Sequence, residues 1–236
     1  MSKQKELQEE IRKKKNAEKA KILQRFFKTG KGEYGEGDRF LGITVPILRK
    51  TVKPYCNLEL CSLESLIQSA FHEERLGALL ILVEKYKKEK SDLAKKRIYD
   101  FYCSKMQHIN NWDLVDLTAP HIAGDYLFQQ GKKIPAKWIK NKNLWARRIA
   151  IVSTFYFIRE DCFEETTRVA ECLLGDEEDL IHKAVGWMLR EVGKRNMERE
   201  EAFLKKHYKK MPRTMLRYAI ERFPEELRQK YLRGNI

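Results

Sequence analysis

No run of apolar residues in this sequence approaches the ~20 that a bilayer-spanning helix requires, and the opening MSKQKELQEEIRKKKNAEK has no apolar signal-peptide core. Membrane insertion and secretion are therefore not expected, and a cytoplasmic location is. Cysteine is sparse. Cys56, Cys61, Cys103, Cys162 and Cys172 form an odd set without a CxxC pair, which speaks against a disulfide framework and against zinc or iron–sulfur ligand spacing. His72, His108, His121, His182 and His207 are scattered, with no HxH or HxxxH pair. They read as surface or helix-terminal residues, and no metal or organic cofactor is expected. A GxSxG nucleophile motif is missing, as is the apolar alternation of half-buried strands.

What the chain does have is charge, mostly of one sign. Its 236 residues carry 48 Lys+Arg against 34 Asp+Glu, a net charge of +14, and 35% of them are charged, against a usual ~25%. Hydrophobic residues at 42% and aromatics at 11% still suffice for a core. The positive surplus leaves three partner classes open: nucleic acid, an anionic membrane surface or an acidic protein.

Nearly every segment reads with helical period, which predicts one all-α domain over residues 1–236. Residues 3–28 predict a basic amphipathic helix capped by Ser2, and residues 29–42 a glycine-rich loop. Stacked helices then fill about 44–232, opening at Thr44 as cap with Pro46 in the first turn. Arg75, Asn111, Arg148, Lys183 and Arg217 each lie near the start of an apolar helical stretch, at steps of 36, 37, 35 and 34 residues. A steady step of that size over two helices is the signature of a solenoid, here of short HEAT-like repeats. Equivalent positions of stacked repeats share a surface, so Arg75, Arg148, Lys183 and Arg217 are expected to form a cationic row with Asp116 and Trp187 in its middle. Such a row suits a polyanion.

Three motifs stand out. Gly30-Lys-Gly32-Glu-Tyr-Gly35 matches GxGxxG, but a basic helix precedes it and no helix opens directly after it. It therefore reads as a mobile turn and not as a dinucleotide loop. In Asn110-Asn-Trp112-Asp113-Leu-Val-Asp116, the residues Trp112 and Asp116 lie four apart on one helix face. Trp112 reads as core packing, Asp113 as a cap or a solvent group, and Asp116 as a carboxylate placed among cations. Trp187 follows Gly186, which admits a close approach to the helix. Lys13-Lys14-Lys15 is given only a non-specific electrostatic part.

The stretches Phe26 to Ile43, Asn111 to Asp116, Leu144 to Ala150 and His182 to Glu191 closely resemble the AlkD family of DNA alkylation-repair glycosylases. The resemblance runs from about residue 5 to about residue 225. It implies a superhelical solenoid of HEAT-like repeats that forms a C-shaped cradle for duplex DNA. It implies excision of cationic N3- and N7-alkylated purines such as 7-methylguanine and 3-methyladenine, by a monomeric, monofunctional and cofactor-free enzyme that leaves the base stacked. It implies catalytic roles for Asp116, Trp112 and Trp187, with Arg148 or its neighbour Arg147 beside them; with the cationic row, DNA contacts are expected of Arg148, Arg147, Lys183, Arg190, Lys194, Arg75 and Arg217. Asn111 stands where the family often has a second aromatic residue. The alternative is a non-catalytic helical module that binds bent or branched DNA.

Overall fold

The computed structural model describes residues 2–236. It is all-α, and its contacts divide it into two compact units, residues 1–122 and 123–236. Among the described residues there is no strand, and the extended backbone contact is a single bridge between Arg39 and Phe71.

The first unit holds α1 (Lys3–Lys13), α2 (Ala17–Phe26), α3 (Val45–Val52), α4 (Leu60–Ile67), α5 (His72–Lys88), α6 (Asp92–Ser104) and α7 (Trp112–Asp116). The expected single helix over 3–28 is in fact two. Lys14, Lys15 and Asn16 break it, and Asn16 caps α2 by accepting the Lys19 N–H at 2.9 Å. Asparagine does this well because its short side chain competes with the backbone for hydrogen bonds and so favours caps over helix interiors. Ser2 caps α1 as expected. Thr44 stands at the N-cap of α3, but its side chain makes no capping bond.

Helix α5 organises this unit. It packs against α1, α3, α4, α6 and α7, and every residue from His72 to Val83 is buried. Leu76 to Val83 supplies the apolar centre, into which Leu7, Ile11, Leu48 and Val52 pack. The first turn is instead polar, and its side chains hold the surrounding segments. Glu73 accepts the N–H groups of Leu41, Gly42 and Ile43 at 2.8, 2.7 and 3.0 Å. Glu74 accepts from Gln8, Arg12 and Ser69 at 2.7, 2.6 and 2.6 Å, which fastens α1. Two carboxylates in the first turn of a helix also complement its dipole. Gly42 adopts φ +84°, and a Cβ there would lie 2.1 Å from the Asn16 carbonyl oxygen. Only glycine lets these two backbone segments come so close.

The second unit holds α8 (Asp125–Gln129), α9 (Ala136–Ile139), α10 (Leu144–Arg159), α11 (Glu164–Cys172), α12 (Asp179–Arg195), α13 (Met197–His207), α14 (Arg213–Ala219) and α15 (Glu225–Arg233). Here the expected stacking is plain. Helices α8, α10, α12 and α14 pack successively side by side, with α9, α11 and α13 as the partners that connect them. Glycines allow two of these contacts: a Cβ on Gly124 would meet the Ser153 carbonyl oxygen at 2.3 Å, and one on Gly186 the Met215 carbonyl oxygen at 2.4 Å. The close approach expected at Gly186 is thus made by α14.

Candidate functional site

Helix α7 is only five residues long, too short to hold itself in place by propensity. Asn111 caps it, its side-chain oxygen accepting the Trp112 N–H at 2.8 Å. The same amide donates to Asp38 at 3.3 Å, and Asn110 donates to the other Asp38 oxygen at 3.2 Å. Asn111 is wholly buried and serves this chain as a capping and anchoring residue.

Behind α7 lies a buried ionic network. His72 Nε2 is 2.8 Å from Asp113 and its Nδ1 3.3 Å from Asp38, while Arg75 donates to Asp38 at 2.6 Å and to the Ser69 carbonyl at 2.9 Å. His72, Asp38, Arg75 and Asp113 are at most 7% exposed. Burial alone would depress the imidazole pKa, but the two carboxylates outweigh it and lift His72 to about 9. Burial likewise opposes ionisation of Asp38, yet His72, Arg75 and Asn111 hold its pKa below the ordinary value. The network is therefore two carboxylates held by an imidazolium and a guanidinium.

His72 is helix-terminal, as one of its two readings had it, since it opens α5, but it is buried. Asp113 is not a solvent group: it accepts the Leu114 N–H at the start of α7 and pairs with His72. Arg75 does not belong to an exposed cationic row, because its guanidinium is spent on Asp38 inside the unit.

Trp112 is half-buried and rests on a stack of rings. Phe27 lies parallel to it with centroids 5.0 Å apart, Phe40 stacks on Phe27 at 4.9 Å, and His72 stacks on Phe40 at 4.5 Å. Phe26, 61% exposed, meets Trp112 edge-on at 5.9 Å. The core reading of Trp112 holds for one face of the ring, which packs on the cluster of Ala20, Phe27 and Phe40. Asp116, one helical turn on, is half-buried. Its charge, along with Cys103, adds to the burial that raises the nearby Tyr102 phenol well above its ordinary range. The fixed tryptophan and the carboxylate thus share one short helix.

The glycine-rich loop runs beneath this site. Glu33 accepts the Gly30 N–H and Glu36 the Gly32 N–H, both at 2.8 Å, and Gly35 donates to the Lys28 carbonyl at 3.1 Å. A helix precedes it and an extended segment follows it, so the GxGxxG match has no phosphate-loop context.

In the second unit, Trp187 lies half-buried on α12 beside Phe155, with ring centroids 5.9 Å apart. Its Nε1 donates to Glu191 at 3.1 Å, and Lys194 donates to the same oxygen at 2.7 Å. Arg190 pairs with Glu221 and Lys183 with Asp179, the latter at 2.8 Å. Arg148, at the register position of α10, is 5% exposed and donates to the Leu180 carbonyl at 2.6 Å, which ties α10 to the start of α12. Arg147 makes a two-point contact with Asp176 and donates to two backbone carbonyls. Arg217 is exposed. The repeat step thus located equivalent places on successive helices, but the uniform row of exposed cations is not found.

Among the described residues, no helix is long and apolar enough to cross a membrane, and no group of three or more histidine, cysteine or acidic side chains is arranged to hold a metal ion.

A family model described as DNA alkylation repair enzyme matches residues 7–223. The fold is similar to that of a predicted DNA alkylation repair enzyme from Enterococcus faecalis, with a TM-score of 0.70 and 19% identity, covering 90% of this chain and 98% of that one. At that identity the likeness speaks for the fold alone. No curated protein matches the chain.

Proposed function

Because this chain belongs to the DNA alkylation repair enzyme family, we propose that it hydrolyses the N-glycosidic bond of cationic N3- and N7-alkylated purines in duplex DNA. The observation that carries the reading is the short helix α7, which presents Asp116 one turn from Trp112 and is anchored by the Asp38–His72–Asp113 network.

The chemistry asks little of such a site. Alkylation at N3 or N7 gives the purine a formal positive charge, so the base departs with the bonding electrons as a neutral molecule and needs no general acid. Positive charge then develops on the sugar. A carboxylate beside it stabilises that charge and orients the attacking water, and Asp116 is assigned both tasks. Trp112, pressed from behind by Phe27, offers its other face to a cationic nucleotide, a contact worth about 0.5–2 kcal/mol. Trp187 is assigned as the second aromatic contact. Lys183, Arg190, Lys194 and Arg217 are assigned to phosphates, and Arg147 and Arg148 to support of that surface through their contacts with Asp176 and Leu180. Since the lesion supplies its own lability, the base need not leave the stack, unlike substrates that must be flipped into a pocket. The site carries out hydrolysis without strand cleavage, as a cytoplasmic monomer that needs no cofactor.

Release of 7-methylguanine from methylated duplex DNA under single-turnover conditions tests this. The expected result is free 7-methylguanine with an intact abasic strand. Tight DNA binding with no base released would leave the alternative, a non-catalytic binder of bent or branched DNA.

A further inference from the structure

A second basic feature of the first unit lies away from Asp116. Arg12, Lys15, Gln24 and Arg39 surround a cleft of about 520 Å³ whose walls include Phe40 and Phe71. The cations are held by unusually fixed backbone. Arg39 donates its N–H to Ala70 at 3.3 Å and accepts from His72 at 2.8 Å, and the three residues after Phe40 are gripped by the Glu73 carboxylate. Lys15 is placed by its neighbour, since Asn16 donates to the Leu41 carbonyl at 2.8 Å and Gly42 lies against the Asn16 backbone. Arg12 and Arg39 both lie over the Phe71 ring, 5.5 and 5.3 Å from its centroid.

The charges in this cleft are not matched. Arg12 is paired with Glu74, but Lys15 and Arg39 are exposed and make no ion pair among the described residues. The cationic side chains on α12 differ, each having a carboxylate close by. Lys15 and Arg39 thus have no internal carboxylate to give up on meeting an anion, and Arg39 is already directed by the Phe71 ring. The cleft wall also connects to Trp112, because Phe40 reaches that ring through Phe27 in two contacts of 4.9 and 5.0 Å.

We propose that this cleft is a DNA backbone-phosphate site, with Arg39 and Lys15 as its cations. The inference rests on the reading of the protein as a duplex-DNA binder, though not on its catalysis.

The test is the salt dependence of binding to an undamaged duplex, measured by fluorescence anisotropy for the full chain and for Arg39→Ala, Lys15→Ala and Lys90→Ala. Lys90 is exposed and follows the far end of α5, whose 17 residues place it roughly 25 Å from the cleft. Loss of one phosphate contact lowers the magnitude of the slope of log K against log salt by about 0.9, with a threefold to tenfold loss of affinity at moderate salt. That change is expected for Arg39→Ala and Lys15→Ala and not for Lys90→Ala. Equal changes in all three would show a general effect of net charge and overturn the site, and so would an unchanged slope in the first two. Thermal melting of each variant confirms that the exposed substitutions leave the fold intact. Base release is measured separately, so a protein that frees no 7-methylguanine yet shows the expected slopes loses its catalytic assignment and keeps this site.

Discussion

The two units differ in how they treat charge. In residues 1–122, the ionic groups that matter are inside: His72, Glu73, Glu74 and Arg75 open an apolar helix and are all buried, fastening α1, α7 and the segments around Asp38 and Leu41. In residues 123–236, the helices repeat with a regular step and most ion pairs have at least one exposed side chain, largely on α11, α12, α13 and α15. Buried pairs bring desolvation costs that make them unforgiving of change, whereas exposed pairs are each worth little. The first unit is thus built to hold one short helix in one place, and the second to present a repeating face.

The sharpest way to break that contrast is at His72. Removing one member of a buried ionic cluster leaves an uncompensated charge, a loss on the order of 3–5 kcal/mol. His72→Ala is therefore expected to lower stability by about that amount, read from chemical denaturation followed by tryptophan fluorescence; a loss below about 1 kcal/mol would contradict the role assigned to the network. The wild-type pH dependence has a definite sign. The imidazole pKa is about 9 in the folded protein and near 6.5 in the unfolded chain. Its contribution is thus complete below about pH 6.5 and is lost as the pH rises through 9. Denaturation midpoints across pH 6–10 should show a decline that is shallower in His72→Ala, by the part the imidazole contributes.

Asp116→Asn is next in size. It removes charge where positive charge develops, so excision should slow by roughly 100- to 1,000-fold while duplex binding stays within about twofold. Parallel loss of binding and rate, measured by anisotropy and single-turnover release, would instead place Asp116 in phosphate or fold support.

A smaller effect of opposite sign sharpens the comparison from the second unit. Glu200 is 2% exposed, and one of its oxygens has no hydrogen-bond partner. Burial, with Glu201 and Glu191 adding and Arg190 opposing, lifts its pKa to about 9. Its folded pKa exceeds the unfolded value, so folding takes up a proton and stability falls as the pH climbs from about 4.5 towards 9. Glu200→Gln is expected to stabilise the protein by on the order of 1–3 kcal/mol at pH 7–8 and to flatten that fall. A destabilised variant would mean that the carboxylate serves a partner of its own. The smallest effect is expected for Arg217→Ala, which should leave the melting temperature unchanged within about 1 °C and lower the DNA salt slope by about one unit.

Local signals were readable in the sequence, and distant partnerships were not. Helix α10 begins at Leu144 and ends at Arg159 as its apolar period implies, because the pattern and the Asn143 cap agree. The break at Asn16 was hidden among lysines that carry no periodic signal, although asparagine before Ala-Glu-Lys is itself a capping pattern. The partnership of Asp38, His72 and Asp113 was not legible, because they lie 34 and 41 residues apart and match no known spacing. A usable clue did exist, in the run His72-Glu-Glu-Arg75 placed directly before eight apolar residues. Four charged or polar groups at the start of a helix that is buried all round must find partners inside. Arg75 and Arg148 teach the complementary point. A repeat step fixes where a residue stands on its helix, but whether that face is open depends on what the intervening segments lay over it.

The paired cations of α12 have a kinetic consequence. Lys183, Arg190 and Lys194 each have a carboxylate already in place, so an arriving phosphate must displace a tenant before it gains a contact. Under the proposed function, that exchange keeps the residence time on ordinary duplex short, and a repair protein facing millions of undamaged base pairs moves on quickly unless something else, such as a cationic base, detains it.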